Sequence, residues 1–288
     1  MSESLAIHTR GVTRSFGSGF ARLFRRPPVE VLRGIDLDVP RGAILGLMGP
    51  NGSGKSTMLR ILAGVDRETS GSVEVLGAAP NSKQTLLDTG YLPEESQFPP
   101  ELNATQALKL LGSLQGLSAQ EIRERSTVLL ERVGLAAAKR KPLEAYSRGM
   151  LRRFGLAQAW LHDPKLILFD EPTAGLDAQG FEVLDELLAE ARAKGTTVVL
   201  TSHLLTDLAE YCTHLAVLVN GVIAAVGSPS EILRDDDRVT IEIEGLPAEK
   251  SEALESWLRE QGANLVARGA GSKTMLEVYR RCSGSLER

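Results

Sequence analysis

A glycine-rich stretch near residue 50 constrains the fold of this 288-residue chain more than any other feature of its sequence. It satisfies the pattern G-x-x-x-x-G-K-[ST]. The apolar run Ala43–Met48 precedes it, and a helical pattern over Lys55–Ala63 follows it. Glycines let successive backbone N–H groups approach phosphate oxygens, and a helix N-terminus adds partial positive charge. We therefore predict a strand, a helix and, between them, a phosphate-binding loop made of Gly49, Pro50, Asn51, Gly52, Ser53, Gly54, Lys55, Ser56 and Thr57.

Two side chains of this loop have distinct predicted roles. Lys55 is expected to reach the β- and γ-phosphates of a bound nucleotide, which makes it a catalytic as well as a binding residue. The Ser56 hydroxyl is expected to coordinate Mg²⁺. A nucleotide and Mg²⁺ are therefore the predicted ligands of this loop.

A second group of polar residues follows the apolar run Leu166–Phe169, which predicts a short buried strand. Asp170 and Glu171 come directly after it, at the edge where open α/β sheets bind ligands. Asp170 suits the metal, directly or through water, and Glu171 suits polarising the attacking water. His203 follows the run Thr196–Ser202 in the same way, and its ring N–H can bond a γ-phosphate oxygen.

Buried strands alternate with helices along most of the chain, which predicts an α/β domain with a mostly parallel core sheet. Leu215–Val219 and Val222–Val226 flank an Asn220-Gly221 turn and predict a hairpin that forms an antiparallel edge. Between the two halves, a helical stretch predicts an inserted subdomain over about residues 95–160. One of its helices should begin with a capping box of Ser118 and Glu121.

The end of the chain has a separate character. The acidic run Asp235–Asp237 is typical of a linker, so we predict one domain over 1–233 and a second over 234–288. Beyond the linker, Val239, Ile241 and Ile243 alternate as in a strand. A helix over Ala248–Gln261 and two further strands would complete a small α+β appendage.

Composition narrows the functional classes. With 42% hydrophobic residues the chain can form a large core, and its net charge of −4 argues against nucleic acid as a partner. No apolar run approaches the roughly 18 residues needed to cross a bilayer, and the start of the chain has no secretory pattern. Cys212 and Cys282 lie far apart without metal-ligand spacing, which predicts reduced thiols in a cytoplasmic protein.

A serine marks the start of a helix in the middle of the chain. Ser147 is a good N-cap for the helical stretch Leu151–Leu161, and Gly149 leaves backbone N–H groups of the first turn accessible. A helix N-terminus of this kind predicts a second anion site in the same chain, although a helix capped without a ligand is the alternative.

Together these motifs resemble the nucleotide-binding domain of ABC transporters, over about Leu5–Leu233. Their order is distinctive of that family. It comprises a Walker A loop at Gly49–Thr57, a Q-loop at Tyr91–Glu94, a signature at Tyr146–Met150, a Walker B strand at Leu166–Glu171, a D-loop at Ala174–Asp177 and a switch histidine at His203.

The resemblance implies that two such domains pair head to tail, most simply as a homodimer. Each ATP would lie between one subunit's Walker A loop and the partner's signature residues Ser147, Arg148 and Gly149. Asp177 of the D-loop would also contact the nucleotide. Phe16 matches the aromatic residue that stacks on adenine, with Phe20 and Phe24 as nearby alternatives.

Two motifs depart from the common family pattern. The signature has Tyr146, Arg148 and Met150 where Leu, Gly and Gln are usual, and the Q-loop has Glu94 where glutamine is usual. This variant resembles the subfamily that serves ABC-2-type export permeases. Glu94 would then be a metal ligand as well as a nucleotide contact, since Mg²⁺ accepts carboxylate oxygen.

The resemblance therefore implies an ATPase that powers a separate membrane permease from the inner face of the cell membrane, as a cytoplasmic, peripheral subunit. A soluble ABC ATPase acting on ribosomes or DNA is the alternative. Ribosomal members usually carry two cassettes, and DNA-repair members carry a long heptad insertion that this chain lacks. An unrelated P-loop kinase or GTPase would leave the signature unexplained.

An insertion over 18–29 follows the predicted adenine-stacking residue. Phe20, Leu23 and Phe24 fall at helical spacing with arginines between them. A basic amphipathic helix that contacts anionic lipid or the permease would fit this pattern, and a basic loop would fit it equally.

Overall fold

The computed structural model describes residues 4–17, 28–95, 97–202, 211–232 and 248–261. The chain divides into two compact units, Met1–Leu233 and Arg234–Arg288. Of the second unit, only a helix over Ala248–Glu260 is described, and it agrees with the predicted helix. The strands predicted there, the acidic linker, His203, Cys282 and most of the 18–29 insertion lie outside the described residues.

The described residues of the first unit contain nine strands, which form two sheets. In chain order they are β1 Leu5–Phe16, β2 Val29–Pro40, β3 Ile44–Met48, β4 Ser70–Val75, β5 Thr89–Leu92, β6 Leu166–Phe169, β7 Thr197–Ser202, β8 His214–Val219 and β9 Val222–Gly227. One sheet is antiparallel, with the order β2-β1-β4. The other has the order β5-β6-β7-β3-β8-β9 and is parallel except for β9. The predicted fold class, an α/β P-loop core with a mostly parallel sheet and an antiparallel edge, is confirmed.

The helices of the first unit surround this mixed sheet. They are α1 Lys55–Leu62, α2 Lys83–Leu87, α3 Ala104–Leu114, α4 Ala119–Arg132, α5 Arg148–Trp160, α6 Ala178–Lys194 and α7 Pro229–Ile232, and the helix of the second unit is α8. Helices α3, α4 and α5 occupy the region predicted as the helical subdomain. Among the described residues, no helix combines the length and the apolar character needed to cross a bilayer.

Alternation along the central strands gives the sheet two buried faces. Ile167 and Phe169 of β6 contact the core formed with α3 to α6. Leu166 and Leu168 of the same strand contact the core formed with α1 and the antiparallel sheet. Because both faces are covered, the strand is a continuous apolar run, as expected for a buried parallel strand.

Local signals place several element ends. Ser118 accepts a hydrogen bond from the Glu121 N–H, and the Glu121 side chain accepts one from the Ser118 N–H, which confirms the capping box. Asn220 and Gly221 both have positive φ, 49° and 79°, as a type I′ hairpin turn requires. Helix α6 begins at Ala178, because the Asp177 side chain caps it by accepting from the Gly180 N–H.

Candidate active site

The loop between β3 and α1 has a backbone that only glycine can form at two points. Gly54, with φ of 111°, is the N-cap of α1. A Cβ added there would lie 2.7 Å from Leu32 Cδ2, and one added at Gly49 would lie 2.1 Å from the Leu218 carbonyl oxygen. The glycines of the motif therefore bring the loop against the neighbouring strands and leave the first N–H groups of α1 without intrahelical partners.

Lys55 is held inside this loop. Its side chain is buried, and Nζ donates hydrogen bonds to the carbonyl oxygens of Gly49 at 2.7 Å and Pro50 at 3.3 Å. The same nitrogen lies 3.7 Å from Oε1 of Glu171. The loop thus curves around its own lysine, and the ammonium group lies next to the carboxylate that follows β6.

The two carboxylates at the end of β6 are both buried. The Thr201 hydroxyl of β7 donates to Oδ1 of Asp170 at 2.7 Å and accepts from the Glu171 N–H at 2.8 Å. Glu171 has a φ of 47°, a left-handed conformation that is uncommon for a residue with a side chain. Backbone strain of this kind is often found where a side chain has to be held in a functional position.

A cavity of about 420 Å³ brings the predicted groups together. Beyond Val31 and Ala174, its lining consists of predicted site residues: Asn51, Gly52, Gly54, Lys55, Ser56, Thr57, Glu94 and Glu171. Residues from the P-loop, the end of β5 and the end of β6 thus share one space at the carboxyl edge of the parallel sheet.

The donor set of this cavity fits a magnesium ion. The Ser56 hydroxyl and the carboxylates of Glu94 and Glu171 are hard oxygen ligands. The part of the chain that the structure describes holds no group of three or more His, Cys, Asp or Glu side chains able to form a metal cage. Mg²⁺ usually keeps several waters and is shared with substrate phosphates.

Phe16 does not line this cavity. It is the last residue of β1, and its exposed fraction is 41%. The Arg14 guanidinium lies 4.4 Å from its ring centroid. One face of the ring is therefore occupied by a cation, so an adenine would have to stack on the other face.

The signature residues also lie apart from the cavity. Ser147 and Arg148 are exposed, and the Ser147 hydroxyl oxygen caps α5 by accepting from the Met150 N–H at 3.2 Å. Gly149 lies against the carboxylate of Asp177, because a Cβ there would be 2.9 Å from Asp177 Oδ2. The Asp177 carboxylate caps α6 and forms an ion pair with Arg153 at 3.2 Å.

Arg152 was not predicted as a site residue, yet it joins the parts of the site. It lies in α5 with an exposed fraction of 6%, and burial lowers the pKa of its guanidinium while Asp170, Glu94 and Glu171 oppose the shift. The group stays cationic at neutral pH. The sequence could have indicated Arg152 as unusual, because it is an arginine among the apolar residues of a helix. The sequence does not show which carbonyl groups the arginine contacts.

Two other titratable groups near the sheet are perturbed by burial. Desolvation, reinforced by the charge of Asp170, raises the pKa of Tyr91 to about 12. Desolvation also raises the pKa of Cys212 to about 12, and this thiol is free and buried. Cys212 is therefore protonated and unreactive at neutral pH.

Comparisons with known proteins agree with this geometry. The family model described as "ABC transporter" matches residues 32–174. An uncharacterized ABC transporter ATP-binding protein of Synechocystis is 36% identical over 241 residues, covering 83% of this chain and 67% of the relative. The chain belongs to the ABC transporter ATP-binding proteins. It is therefore an ATP-binding and ATP-hydrolysing subunit of a transporter, which confirms the predicted activity over a ribosome- or DNA-associated role.

One further sequence relative and one solved structure are also similar to this chain. The Nod factor export ATP-binding protein I of Ralstonia nicotianae is 34% identical, covering 76% of this chain and 70% of the relative. A dimeric structure of a bacterial ABC transporter cassette superposes with a TM-score of 0.69 at 25% identity, covering 77% of this chain and 98% of that one.

Proposed function

We propose that this ABC ATPase hydrolyses MgATP with Glu171 as the general base and thereby drives an ABC-2-type export permease. The observation that carries the proposal is the convergence of Lys55, Ser56, Glu94 and Glu171 on one cavity at the carboxyl edge of the sheet. A lysine for the phosphates, oxygen ligands for the metal and a carboxylate for the water are the groups that phosphoryl transfer requires.

Each residue has a proposed role in that cavity. The Lys55 ammonium exchanges its carbonyl partners for the β- and γ-phosphates. The Ser56 hydroxyl and the Glu94 carboxylate would hold Mg²⁺, and Asp170, which accepts from the Thr201 hydroxyl, would contact the metal directly or through water. The metal neutralises charge on the phosphates when bound. Glu171 accepts a proton from the attacking water, and His203 remains a predicted γ-phosphate contact.

A second copy of the chain completes the site in this proposal. The resemblance assigns Ser147, Arg148 and Gly149 to the partner's γ-phosphate, and in the structure none of them lines the cavity of its own chain. Ser147 and Arg148 are exposed, as residues that meet another subunit must be in the free subunit. A similar bacterial ABC transporter cassette has a dimeric structure, which supports a dimer of this chain.

The export assignment rests on the relatives and on a groove next to Glu94. The Ralstonia relative carries the name of an export ATP-binding protein. The groove has a volume of about 220 Å³ and is lined by Pro93, Phe98, Leu110 and Leu111, with Leu110 46% exposed. We propose that a permease segment binds there, which would place the subunit on the cytoplasmic face of the membrane.

Replacing Glu171 with Gln tests the assignment of the base. Glu171→Gln should keep ATP binding and lose about 10²–10⁴-fold in turnover, the usual effect of removing a general base. It should also accumulate an ATP-bound dimer in size-exclusion chromatography, since hydrolysis no longer opens it. Glu124→Gln, an exposed carboxylate on α4, is the control. Near-normal turnover of Glu171→Gln would refute the assignment.

The permease contact needs a different experiment. Leu110→Arg should abolish co-purification with a co-expressed ABC-2-type permease and leave the ATPase activity of the isolated subunit unchanged. Val128→Arg introduces the same charge at an exposed apolar position of α4 away from the groove, and it should retain the permease. Equal retention by both variants would count against the groove as the docking site.

A further inference from the structure

One buried guanidinium uses its full donor capacity on backbone carbonyls of the active site. Arginine has five N–H donors, and those of Arg152 are all engaged. The acceptors belong to two loops that the site depends on. The bonds run from Nη1 to the carbonyl oxygens of Pro93 at 2.6 Å and Glu94 at 3.0 Å, from Nη2 to those of Asp170 at 2.6 Å and Glu171 at 2.5 Å, and from Nε to that of Pro172 at 3.3 Å.

These bonds connect three separate parts of the molecule. Pro93-Glu94 follows β5, Asp170–Pro172 follows β6, and Arg152 lies in α5, the helix that begins at Ser147. A charge-assisted bond to each loop makes a rigid connection, because the guanidinium is planar and its donors point in fixed directions. Any displacement of α5 must therefore break these bonds or move both loops.

Loss of these bonds would affect the position of Glu171 most. Its backbone is in the left-handed region, with φ of 47°, so the surrounding structure has to hold it there. The Thr201 hydroxyl holds its N–H, and Arg152 holds its carbonyl. The peptide groups on both sides of Glu171 are thus fixed, and this fixes where the carboxylate can lie.

We propose that Arg152 is a positioning residue for ATP hydrolysis, which holds Glu171 and the Glu94 loop in register with the helix that carries the signature serine. The inference rests on the proposed role of Glu171 as the base. It extends that role by naming the group that keeps the base in place and connects it to α5. Among the described residues, the hydrogen bonds of Arg152 go to the loops at Glu94 and Glu171 and not to the phosphate loop, so we expect the affinity for ATP to depend mainly on Lys55 and its loop.

The neighbouring arginine of α5 shows that burial alone does not give this role. Arg153 is equally buried, but it donates to the Val133 carbonyl at 2.6 Å and pairs with Asp177. Val133 lies outside both loops, and Asp177 is the N-cap of α6 at the far end of the segment that begins with Asp170 and Glu171. Arg153 therefore does not hold the peptide groups next to Glu171, whereas Arg152 does.

The first test separates positioning from stability. Arg152→Gln should lower the kcat of ATP hydrolysis by about 10²-fold, as expected for a displacement of about 1 Å at the reacting groups, with unchanged affinity for ATP. Arg152→Lys keeps the charge but has only three donors, so it should recover folding without recovering the full rate. Arg132→Gln, which removes an arginine that pairs with Glu186 and Glu190 of α6, is the control for lost stability. All rates are compared at a temperature well below the lowest melting point.

A double-mutant cycle with Glu171→Gln gives the decisive readout. If Arg152 acts through Glu171, Arg152→Gln should lower the single-turnover rate about 10²-fold in the wild-type background and hardly at all in the Glu171→Gln background. Equal losses in both backgrounds, or no loss of kcat in folded Arg152→Gln, would overturn the inference. Normal turnover of Glu171→Gln alone would instead refute the assignment of the base, so the two failures are distinguishable.

Discussion

The first turns of α1 and α5 are both helix N-termini suited to anions, yet they are built differently. The N-cap of α1 is Gly54, which has no side chain to accept from the first N–H groups. The N-cap of α5 is Ser147, whose hydroxyl oxygen accepts from the Met150 N–H. Lys55 and Ser56 of α1 line a cavity with Glu171, whereas no residue over 147–149 does.

The difference indicates which helix binds nucleotide within its own chain. A glycine cap leaves N–H groups free for a phosphate, and the nearby carboxylates supply the chemistry. A serine cap already satisfies part of its helix, so α5 is stable without a ligand. We infer that α1 binds the nucleotide of its own subunit, and that α5 completes the site of a partner.

The largest effect is expected from Lys55→Ala, which removes the central charge of the α1 site. Both binding and hydrolysis of ATP should be lost nearly completely, since the ammonium that meets the phosphates is gone. Equilibrium titration with a fluorescent ATP analogue measures the binding. Lys83→Ala, at an exposed lysine of α2, should bind normally. Retained binding by folded Lys55→Ala would remove the distinction between the two helices.

A smaller and different effect is expected at α5. Ser147→Arg should leave ATP binding to the isolated chain intact but lower turnover by about 10²–10³-fold, the usual effect of losing one donor to developing charge. Ser118→Arg is the control, because it removes the corresponding N-cap hydrogen bond of α4 and should lower stability by a similar amount. Weakened ATP binding in the Ser147→Arg monomer would show that α5 acts within its own chain.

The smallest effect is expected at Glu94. Glu94→Gln should hydrolyse ATP at a similar rate with a less steep Mg²⁺ dependence, because one fewer carboxylate repels Glu171 when no metal is bound. Glu94→Ala should lose the ligand altogether and need more Mg²⁺. Titration of ATPase activity with Mg²⁺ checks both, with Glu95→Gln as the control. Superimposable curves would exclude Glu94 from the metal site.

Contiguous motifs made much of the fold predictable. The run Leu166–Phe169 has the predicted bounds, because four apolar residues between polar neighbours have the length of a buried strand and are too short for a helix. The Asn220-Gly221 turn and the Ser118 cap were predictable for the same reason, since their chemistry is local. The five-residue helix Lys83–Leu87 was not, because it is too short for a periodic pattern and depends on its Ser82 cap.

Site residues were predictable where they belong to one contiguous motif. They were not predictable where their contacts join segments that are distant in sequence. The loop around Lys55 is complete within nine residues. Arg152 is separated by 58 or more residues from the loop at Pro93-Glu94, so its bonds depend on how β5 and β6 lie against α5. The contact between the Arg14 guanidinium and the Phe16 ring was also not predicted, because the resemblance that identified Phe16 says nothing about neighbouring side chains.

Mixing two inactive chains tests most directly whether the site is shared. A Lys55→Ala chain and a Ser147→Arg chain should each be inactive, and together they should recover ATPase activity, because one composite site of the mixed dimer has both an intact α1 and an intact α5. A chain with both substitutions should in turn suppress the wild type in mixed dimers, since each composite site would then carry one defect. Two affinity tags show that mixed dimers have formed. A shared site would be contradicted if these mixed dimers recovered no activity and if mixed dimers of wild type and double variant kept half of the wild-type activity.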